Sequence, residues 1–131
     1  MEKILVKSPK EIDGLRVVQD YDELIEAISN KETVYHWEFG SSMSPMFPNK
    51  GYCRVQHSHK CDIKTGDAVL CVVNGNPMIH MVWQVSNMDE TTPHFLIGST
   101  SGSLYGWTTE VYGKAFATPY IEDIEDPIYE D

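Results

Sequence analysis

The chain has no long hydrophobic run and little positive charge. No apolar stretch approaches the roughly 18 residues of a membrane-spanning helix, and the first residues lack the apolar core of a signal peptide. Lys and Arg number 10 against 20 Asp and Glu, which gives a net charge of −10 and argues against nucleic acid as a direct partner. We therefore expect a soluble, cytoplasmic protein that contacts neither membrane nor nucleic acid.

Cysteine is also scarce, with three residues in all, which suggests reduced thiols rather than a disulfide framework. Cys71 lies in an apolar run and is expected in the core. Cys53, His57, His59 and Cys61 are residue types that bind zinc, but their spacing matches no common zinc finger. In one strand all four would share a face, over a span too long for one ion. We predict no metal and no other cofactor, and whether these four residues bind a metal stays open.

Hydrophobic residues make up 41% of the chain, enough for one folded domain. Residues 1–32 are interpreted as a strand and helix segment that packs on the core, residues 33–118 as the main domain, and residues 119–131 as an acidic tail. The tail has six acidic side chains and no basic one, which is typical of a solvated, mobile segment. Its apolar side chains would let it dock on a partner or on the protein's own surface: Ile121, Ile124, Ile128 and Tyr129.

The N-terminal segment carries signals for two short strands and a helix. Residues 4–6 and 15–18 have strand character and flank a turn at Gly14. A capping-box pattern starts at Asp20 and predicts the beginning of a helix there. The helix is expected to end near Asn30 and to bury one apolar face: Leu24, Ile25 and Ile28.

Ser42 is expected in a rigid turn directly after a strand. Residues 34–39 alternate as a strand does, with Tyr35, Trp37 and Phe39 on one face. The glycine and serines that follow interrupt the pattern, and the prolines at 45 and 48 forbid a central strand. A catalytic hydroxyl needs such a fixed backbone. The alternative is a turn serine whose hydroxyl bonds its own backbone.

His80 is the second candidate. Residues 67–73 form an apolar run typical of a buried strand, residues 74–77 carry a turn signal, and residues 78–85 are the expected return strand. Ile79, Met81, Trp83 and Val85 share its apolar face, whereas the other face holds Met78, His80, Val82 and Gln84. His80 could therefore look into a cleft and act as a base near neutral pH. The alternative is an ordinary satisfied or solvated histidine.

These motifs, in this order, resemble the S24/S26 serine peptidase superfamily, which includes LexA-type self-cleaving repressors and signal peptidases. They are the Ser42-Met43-Ser44-Pro45 turn, the Gly66-Asp67 pair that opens an apolar strand, and Ile79-His80-Met81-Val82. The resemblance runs from about residue 34 to 117. It implies a mostly β, LexA/signal-peptidase-like fold with one or two short helices, in which residues 33–118 are the peptidase domain.

The resemblance also implies roles for individual residues. Ser42 corresponds to the nucleophile, and His80 to the general base of the endoplasmic-reticulum and archaeal signal peptidases, where LexA-like proteins have lysine. Signal peptidases often carry a hydroxyl side chain two residues before the nucleophile. Gly40 stands there in this chain, so the oxyanion hole would rest on backbone N–H groups, that of Ser42 above all.

The chain departs from the family pattern at Ser99. The histidine-type enzymes carry an acidic residue near the end of the domain that supports the base, and Ser99 stands in that place. Loss of the third member of a triad slows catalysis by orders of magnitude without abolishing it. Four other carboxylates could substitute, although one of them, Asp67, fits better as part of the Gly-Asp turn: Asp62, Asp67, Asp89 and Glu110.

The function expected from these residues is a serine endopeptidase with a Ser42/His80 dyad. Its substrate would be an extended peptide or protein segment, its own or that of a phage or prophage protein, in a bacterial cytoplasm. The alternative is a catalytically inactive peptidase-fold module that binds a peptide or a protein partner. The sequence leaves a homo-oligomer open.

Overall fold

A computed structural model describes residues 3–38, 43, 46–47, 51–86 and 92–122. This part of the chain is mostly β, as predicted, with one α-helix and a short 3₁₀ turn, Lys60–Asp62. None of its helices is long and apolar enough to cross a membrane. The strands are β1 (Ile4–Val6), β2 (Glu11–Ile12), β3 (Leu15–Arg16), β4 (Val34–Glu38), β5 (Gly51–His57), β6 (Ala68–Val73), β7 (Asn76–Ser86), β8 (His94–Gly98), β9 (Leu104–Thr108) and β10 (Val111–Glu122), and the helix is α1 (Tyr21–Ser29).

Eight of the strands form one sheet in the order β4-β5-β10-β6-β7-β8-β9, with β1 added in parallel to the end of β10. All pairs along the main path are antiparallel. β10 is an interior strand, between β5 and β6, although it is the last strand of the chain. The sheet is curled, because β9 returns to β6, where the Thr108 hydroxyl donates to the Val72 carbonyl at 2.6 Å.

Helix α1 begins where the capping pattern predicts. The Asp20 side chain accepts a hydrogen bond from the Glu23 N–H at 3.1 Å, and Asn30 is the C-cap. Leu24, Ala27 and Ile28 are buried against β4, β5 and β10. The predicted helix and its apolar face are therefore confirmed.

The two larger of three apolar clusters lie on the two faces of the curled sheet, and the third joins Ile12 to Tyr35 and Tyr52. The first, which we call the helix-side core, packs beneath α1: Val18, Leu24, Ala27, Ile28, Val34, Met43, Phe47, Cys53, Val55, Ala68, Leu70, Ile79 and Ala115. The second, which we call the β8-side core, lies between β6, β7, β8 and β10: Ile63, Val69, Cys71, Val73, Val82, Phe95, Ile97 and Val111. Alternation along β6 feeds both clusters, which explains why this strand is apolar throughout.

The β6–β7 hairpin is confirmed, but its turn is shorter than predicted. Only Asn74 and Gly75, at φ 50° and 81°, lie between the paired Val73 and Asn76. Two left-handed residues are the turn that best matches the twist of a hairpin. Pro77 therefore lies within β7, at a position that β8 does not reach, where its missing N–H removes no hydrogen bond of the β7–β8 ladder.

A bulge in β7 corrects the predicted faces of this strand. The register with β8 shifts between Val82 and Gln84. The extra residue reverses the alternation, so Val85 packs with Val82 on the β8-side core rather than with Ile79. The prediction that Val85 shares the face of Ile79 was wrong, because it assumed strict alternation along the strand and a bulge interrupts that alternation.

The acidic tail begins later than its composition suggests. Residues 119–122 belong to β10, and Tyr120 and Ile121 pair with Ile4 and Leu5 of β1. The boundary at residue 119 was predicted from the acidic composition of the tail. The strand continues past it, because the apolar residues still alternate there. Residues 123–131 lie outside the described part of the chain.

Candidate functional site

The turn that contains the predicted nucleophile can be placed only from the described residues next to it in the sequence. Ser42 and Gly40 lie outside the described residues, so their catalytic and oxyanion roles stay predictions. Met43, the residue after Ser42, is 5% exposed and belongs to the helix-side core. Ile79, the residue before His80, belongs to the same cluster. His80 itself lies opposite Val69 of the other cluster, so its side chain points to the opposite face of β7 from Ile79 and away from Met43.

His80 lies on β7 opposite Val69 of β6 and is half-buried. Its ring contacts the ring of Tyr105 edge-on, with centroids 4.7 Å apart. Burial lowers the pKa of His80 below its ordinary 6.5, and the negative charge of Glu38 partly opposes that shift. The imidazole is therefore neutral near pH 7, as a general base must be before it accepts a proton.

Glu38 is held in place by two neighbours at the end of β4. The Tyr21 hydroxyl donates to its Oε1 at 3.1 Å, and His36 Nε2 lies 3.0 Å from the same oxygen. Tyr21 and His36 also contact each other, with ring centroids 5.1 Å apart. The pKa of Tyr21 is raised, first by burial and then by the charge of Glu38, so the phenol remains a donor.

His36 helps to hold Glu38 in place. His36 is 2% exposed, and its Nδ1 lies 2.8 Å from the Val18 carbonyl, to which it donates. This bond fixes the imidazole so that its Nε2 faces Glu38 Oε1. The Glu38 side chain is therefore fixed by Tyr21 and His36 in a largely buried site.

The cluster opens to solvent through a shallow pocket of about 250 Å³, lined by Gln19, Tyr21, His36, Trp37 and Glu38. Gln19 closes one side of it. Its side-chain Oε1 accepts from the Trp37 N–H at 2.9 Å, and its Nε2 donates to the Trp37 carbonyl at 3.4 Å. The Gln19 amide therefore covers the outer edge of β4 as a neighbouring strand would, up to the position of Trp37.

Ser99 is buried and holds the turn after β8. Its Oγ accepts from the Ser103 N–H at 3.1 Å and lies 3.0 Å from the Ser101 hydroxyl. The preceding residue, Gly98, pairs with Met81, so the antiparallel register runs from Ser99 towards His80. The register thus points Ser99 towards His80, while the Ser99 hydroxyl bonds within the turn.

The carboxylates considered as substitutes have other roles or positions. Asp67 accepts from the Lys64 backbone N–H at 2.8 Å and lies 3.3 Å from Lys114 Nζ, which confirms its part in the Gly-Asp turn. Asp62 and Glu110 are exposed in turns, and Asp89 lies outside the described residues. Glu38, which the sequence analysis did not select, is the carboxylate whose charge acts on His80.

The four candidate zinc ligands do not share one strand face. β5 ends at His57, and Cys61 follows in the 3₁₀ turn, where it is exposed. Cys53 is 1% exposed in the helix-side core, and burial raises the pKa of its thiol well above the ordinary value. Among the described residues no group of three or more His, Cys, Asp or Glu is placed to hold a metal ion.

Comparison of the chain with family models, with curated proteins and with solved structures gives no match. The resemblance to the S24/S26 superfamily therefore stays a prediction based on three motifs. What the structure adds is the surroundings of His80 and the cluster around Glu38.

The titration of His80 tests these surroundings directly. We expect NMR of the imidazole protons to give a pKa below 6.5, because burial disfavours the charged ring. Glu38→Gln should lower this pKa further, since it removes a negative charge that stabilises the protonated ring. Glu32→Gln is the matched control, because Glu32 pairs with Arg16 at the surface and should leave His80 unchanged. An unaltered His80 titration in Glu38→Gln would contradict the proximity of the two groups.

Proposed function

We propose that the chain is a serine endopeptidase of the S24/S26 type with a Ser42/His80 dyad. The observation that carries the proposal is the environment of His80. Its imidazole is half-buried and neutral on β7, and the charge of the fixed carboxylate of Glu38 acts on its pKa. A lone solvated histidine would need none of these features.

In this mechanism the Ser42 hydroxyl attacks the carbonyl carbon of a peptide bond while His80 takes the hydroxyl proton. Backbone N–H groups near Ser42 and Gly40 would stabilise the negative oxygen of the tetrahedral intermediate. His80 then gives its proton to the leaving amine, and water releases the acyl group by the same steps. The charge of Glu38 favours the protonated ring, which is the form that exists between these transfers.

A second function, that of a peptide-binding module without catalysis, is favoured by a different surface. Three large apolar side chains are exposed on the part of the sheet formed by β7, β8 and β9: Trp83, Leu104 and Trp107. Exposed apolar patches on soluble domains commonly mark binding surfaces. The serine at position 99, where the family carries an acidic residue, favours the same interpretation.

Ser99→Asp separates the two functions. An aspartate can accept the Ser103 N–H as Ser99 does, and it would supply the carboxylate that the family places near the base. We expect peptide cleavage to become faster, or to appear where the wild type shows none. The measurement is mass spectrometry of new termini after incubation with a peptide library and with the protein itself.

Two controls make this result specific. Ser99→Asn has the same shape without the charge and should not raise the rate. Ser42→Ala combined with Ser99→Asp should show no cleavage. If neither the wild type nor Ser99→Asp produces Ser42-dependent termini, the peptidase proposal fails and the binding module is the better description.

A further inference from the structure

Tyr105 reaches His80 through an irregularity in β9. The register of β9 with β8 shifts by one residue between Leu104 and Gly106, so Tyr105, which lies between them, is the extra residue of a bulge. Regular alternation would put Tyr105 on the same face as Trp107. Its ring instead contacts the imidazole of His80, with the two ring centroids 4.7 Å apart. Bulges redirect single side chains in this way, and they are common next to active sites.

Gly106, the residue after Tyr105, allows β9 to come close to the β6–β7 hairpin. Its φ of +138° is a backbone conformation that favours glycine. A Cβ at this position would lie 3.3 Å from Val73 Cγ1, at the end of β6. The last strand in the sheet order, β9, therefore folds back towards the hairpin that carries His80, and this brings Tyr105 within reach of the imidazole.

The turn before β9 is closed by hydrogen bonds of Ser99. The Ser99 N–H donates to the Ser103 carbonyl at 2.8 Å, and the Ser103 N–H donates to the Ser99 hydroxyl oxygen at 3.1 Å. The Trp83 indole N–H donates to the Ser99 carbonyl at 2.9 Å. Tyr105 follows two residues after this turn, so its backbone is held by the turn on one side and by the β8–β9 ladder on the other.

Residues of β6, β8 and β9 lie around His80. It is opposite Val69 of β6, the register with β8 directs Ser99 towards it, and the Tyr105 ring of β9 meets the imidazole at an interplanar angle of 64°. Edge-on contacts are a favoured geometry of aromatic pairs, so this contact favours one orientation of the imidazole. His80 is half-buried and Tyr105 is 38% exposed, so the phenol ring covers one side of the imidazole.

We propose that Tyr105 is a positioning residue for His80, whose ring keeps the imidazole in one orientation and excludes water from one side of it. The inference rests on the proposed role of His80 as the general base. A base must present its nitrogen to the serine hydroxyl in a fixed direction. A carboxylate that hydrogen-bonds the imidazole is one way to fix this direction, and packing against an aromatic ring is another.

The NMR signals of the His80 imidazole test the contact whether or not the chain is active. An aromatic ring 4.7 Å away shifts the imidazole proton resonances by its ring current. Tyr105→Phe should keep these shifts. Tyr105→Ala should lose them and raise the pKa of His80 towards 6.5, by at least about 0.3, because water then reaches the ring. Phe116→Ala is the matched control, because Phe116 is 36% exposed on β10, which β6 separates from β7, and it should leave His80 unchanged.

Steady-state kinetics test the positioning itself, on the library peptide that the wild type cleaves fastest. At about pH 8, where His80 is neutral in every variant, Tyr105→Ala should lower kcat by about 3- to 10-fold and leave KM within about twofold. Tyr105→Phe should restore the wild-type kcat. Tyr105→Leu keeps apolar bulk without an aromatic ring, so it replaces the alanine variant if that variant does not fold, and it should lose the ring-current shifts and kcat together.

Any of three results would overturn the inference. The first is a Tyr105→Ala or Tyr105→Leu protein whose His80 signals match those of the wild type. The second is Tyr105→Phe behaving as Tyr105→Ala does, which would assign the effect to the hydroxyl group. The third is Ser42-dependent cleavage with an unchanged kcat in Tyr105→Ala. A wild type without Ser42-dependent cleavage would instead overturn the proposed function, and the His80 signals would still decide whether Tyr105 holds the imidazole.

Discussion

Replacing Ser42 by alanine is expected to remove peptide cleavage by this chain, with a loss of about 10⁴-fold or more in rate. The Ser42 hydroxyl oxygen is the atom that would bond to the substrate carbonyl carbon, and alanine has no nucleophilic atom in its place. His80→Ala should be nearly as damaging, because a serine hydroxyl without a base is a poor nucleophile at neutral pH. The measurement is the rate at which a cleaved library peptide forms its new termini.

The double variant distinguishes a working dyad from two separate defects. If Ser42 and His80 act as one unit, Ser42→Ala with His80→Ala should be no slower than either single variant. Independent roles would instead multiply the two losses. Ser44→Ala is the matched control: Ser44 is the nearest other hydroxyl, and its neighbour Pro45 directs it elsewhere if the segment is extended. Cleavage that persists in Ser42→Ala but stops in Ser44→Ala would reassign the nucleophile.

The pH dependence of the wild-type rate follows from the same geometry. Only the neutral imidazole can accept the serine proton, so the rate should rise as His80 loses its proton. Burial lowers the pKa of His80, and the midpoint should therefore lie below about 6.5. A rate that rises only above pH 8 would point to a different base.

Much of the fold could be predicted because its signals are local. The Asp20 cap, the alternation along β4 and the Asn74-Gly75 turn each occupy a few consecutive residues, and each appears in the structure where its pattern places it. The apolar run of β6 was read as buried for the same reason, and both faces of this strand are covered. Mostly β character follows from these elements together.

The surroundings of His80 could not be predicted in the same way. Glu38 meets Tyr21 and His36 through a helix start and a strand end, and its charge reaches His80 across three intervening strands of the sheet order. No spacing in the sequence encodes that approach, since the curl of the sheet creates it. The available signal was that His36 and Glu38 share a strand face just before Ser42.

The bulge in β7 and the end of β10 show the limit of periodic patterns. One extra residue near Trp83 moves Val85 to the other face, and the residue types at this point give no signal of a bulge. In residues 119–122 the acidic composition predicted a solvated tail, whereas the alternation of apolar residues is typical of a strand. These residues form a strand because they pair with β1. The end of β10 depends on β1, which lies far away in the sequence, and the bulge depends on the register with β8, which the residues of β7 alone do not define.

Gly113 is the position where a single methyl group is expected to do the most damage to the fold. It lies in β10, where it pairs with His57 of β5 on one side and Leu70 of β6 on the other. A Cβ built at this residue would overlap the Gln56 carbonyl oxygen and lie 2.9 Å from Ile28 Cγ2 of α1. The backbone oxygen cannot move aside without loosening the β5–β10 pair.

Gly113→Ala should therefore lower the free energy of unfolding by about 3 kcal/mol or more, at the upper end of what overpacking costs. For a chain of this size the melting temperature should fall on the order of 10 °C. Gly14→Ala is the control: its φ of +78° is unfavourable for alanine, but nothing lies within 4 Å, so only about 1 kcal/mol should be lost. Thermal and urea unfolding measure both.

The position of Gly113 gives this result a meaning beyond stability. β10 separates the β4–β5 side of the sheet, which carries Glu38, from the β6–β7 side, which carries His80. A Gly113→Ala chain that still folds at low temperature should have its two sides shifted, and the influence of Glu38 on the His80 titration should weaken with them. A variant as stable as the wild type, with an unchanged His80 titration, would mean that α1, β5 and β10 do not approach one another as closely as described.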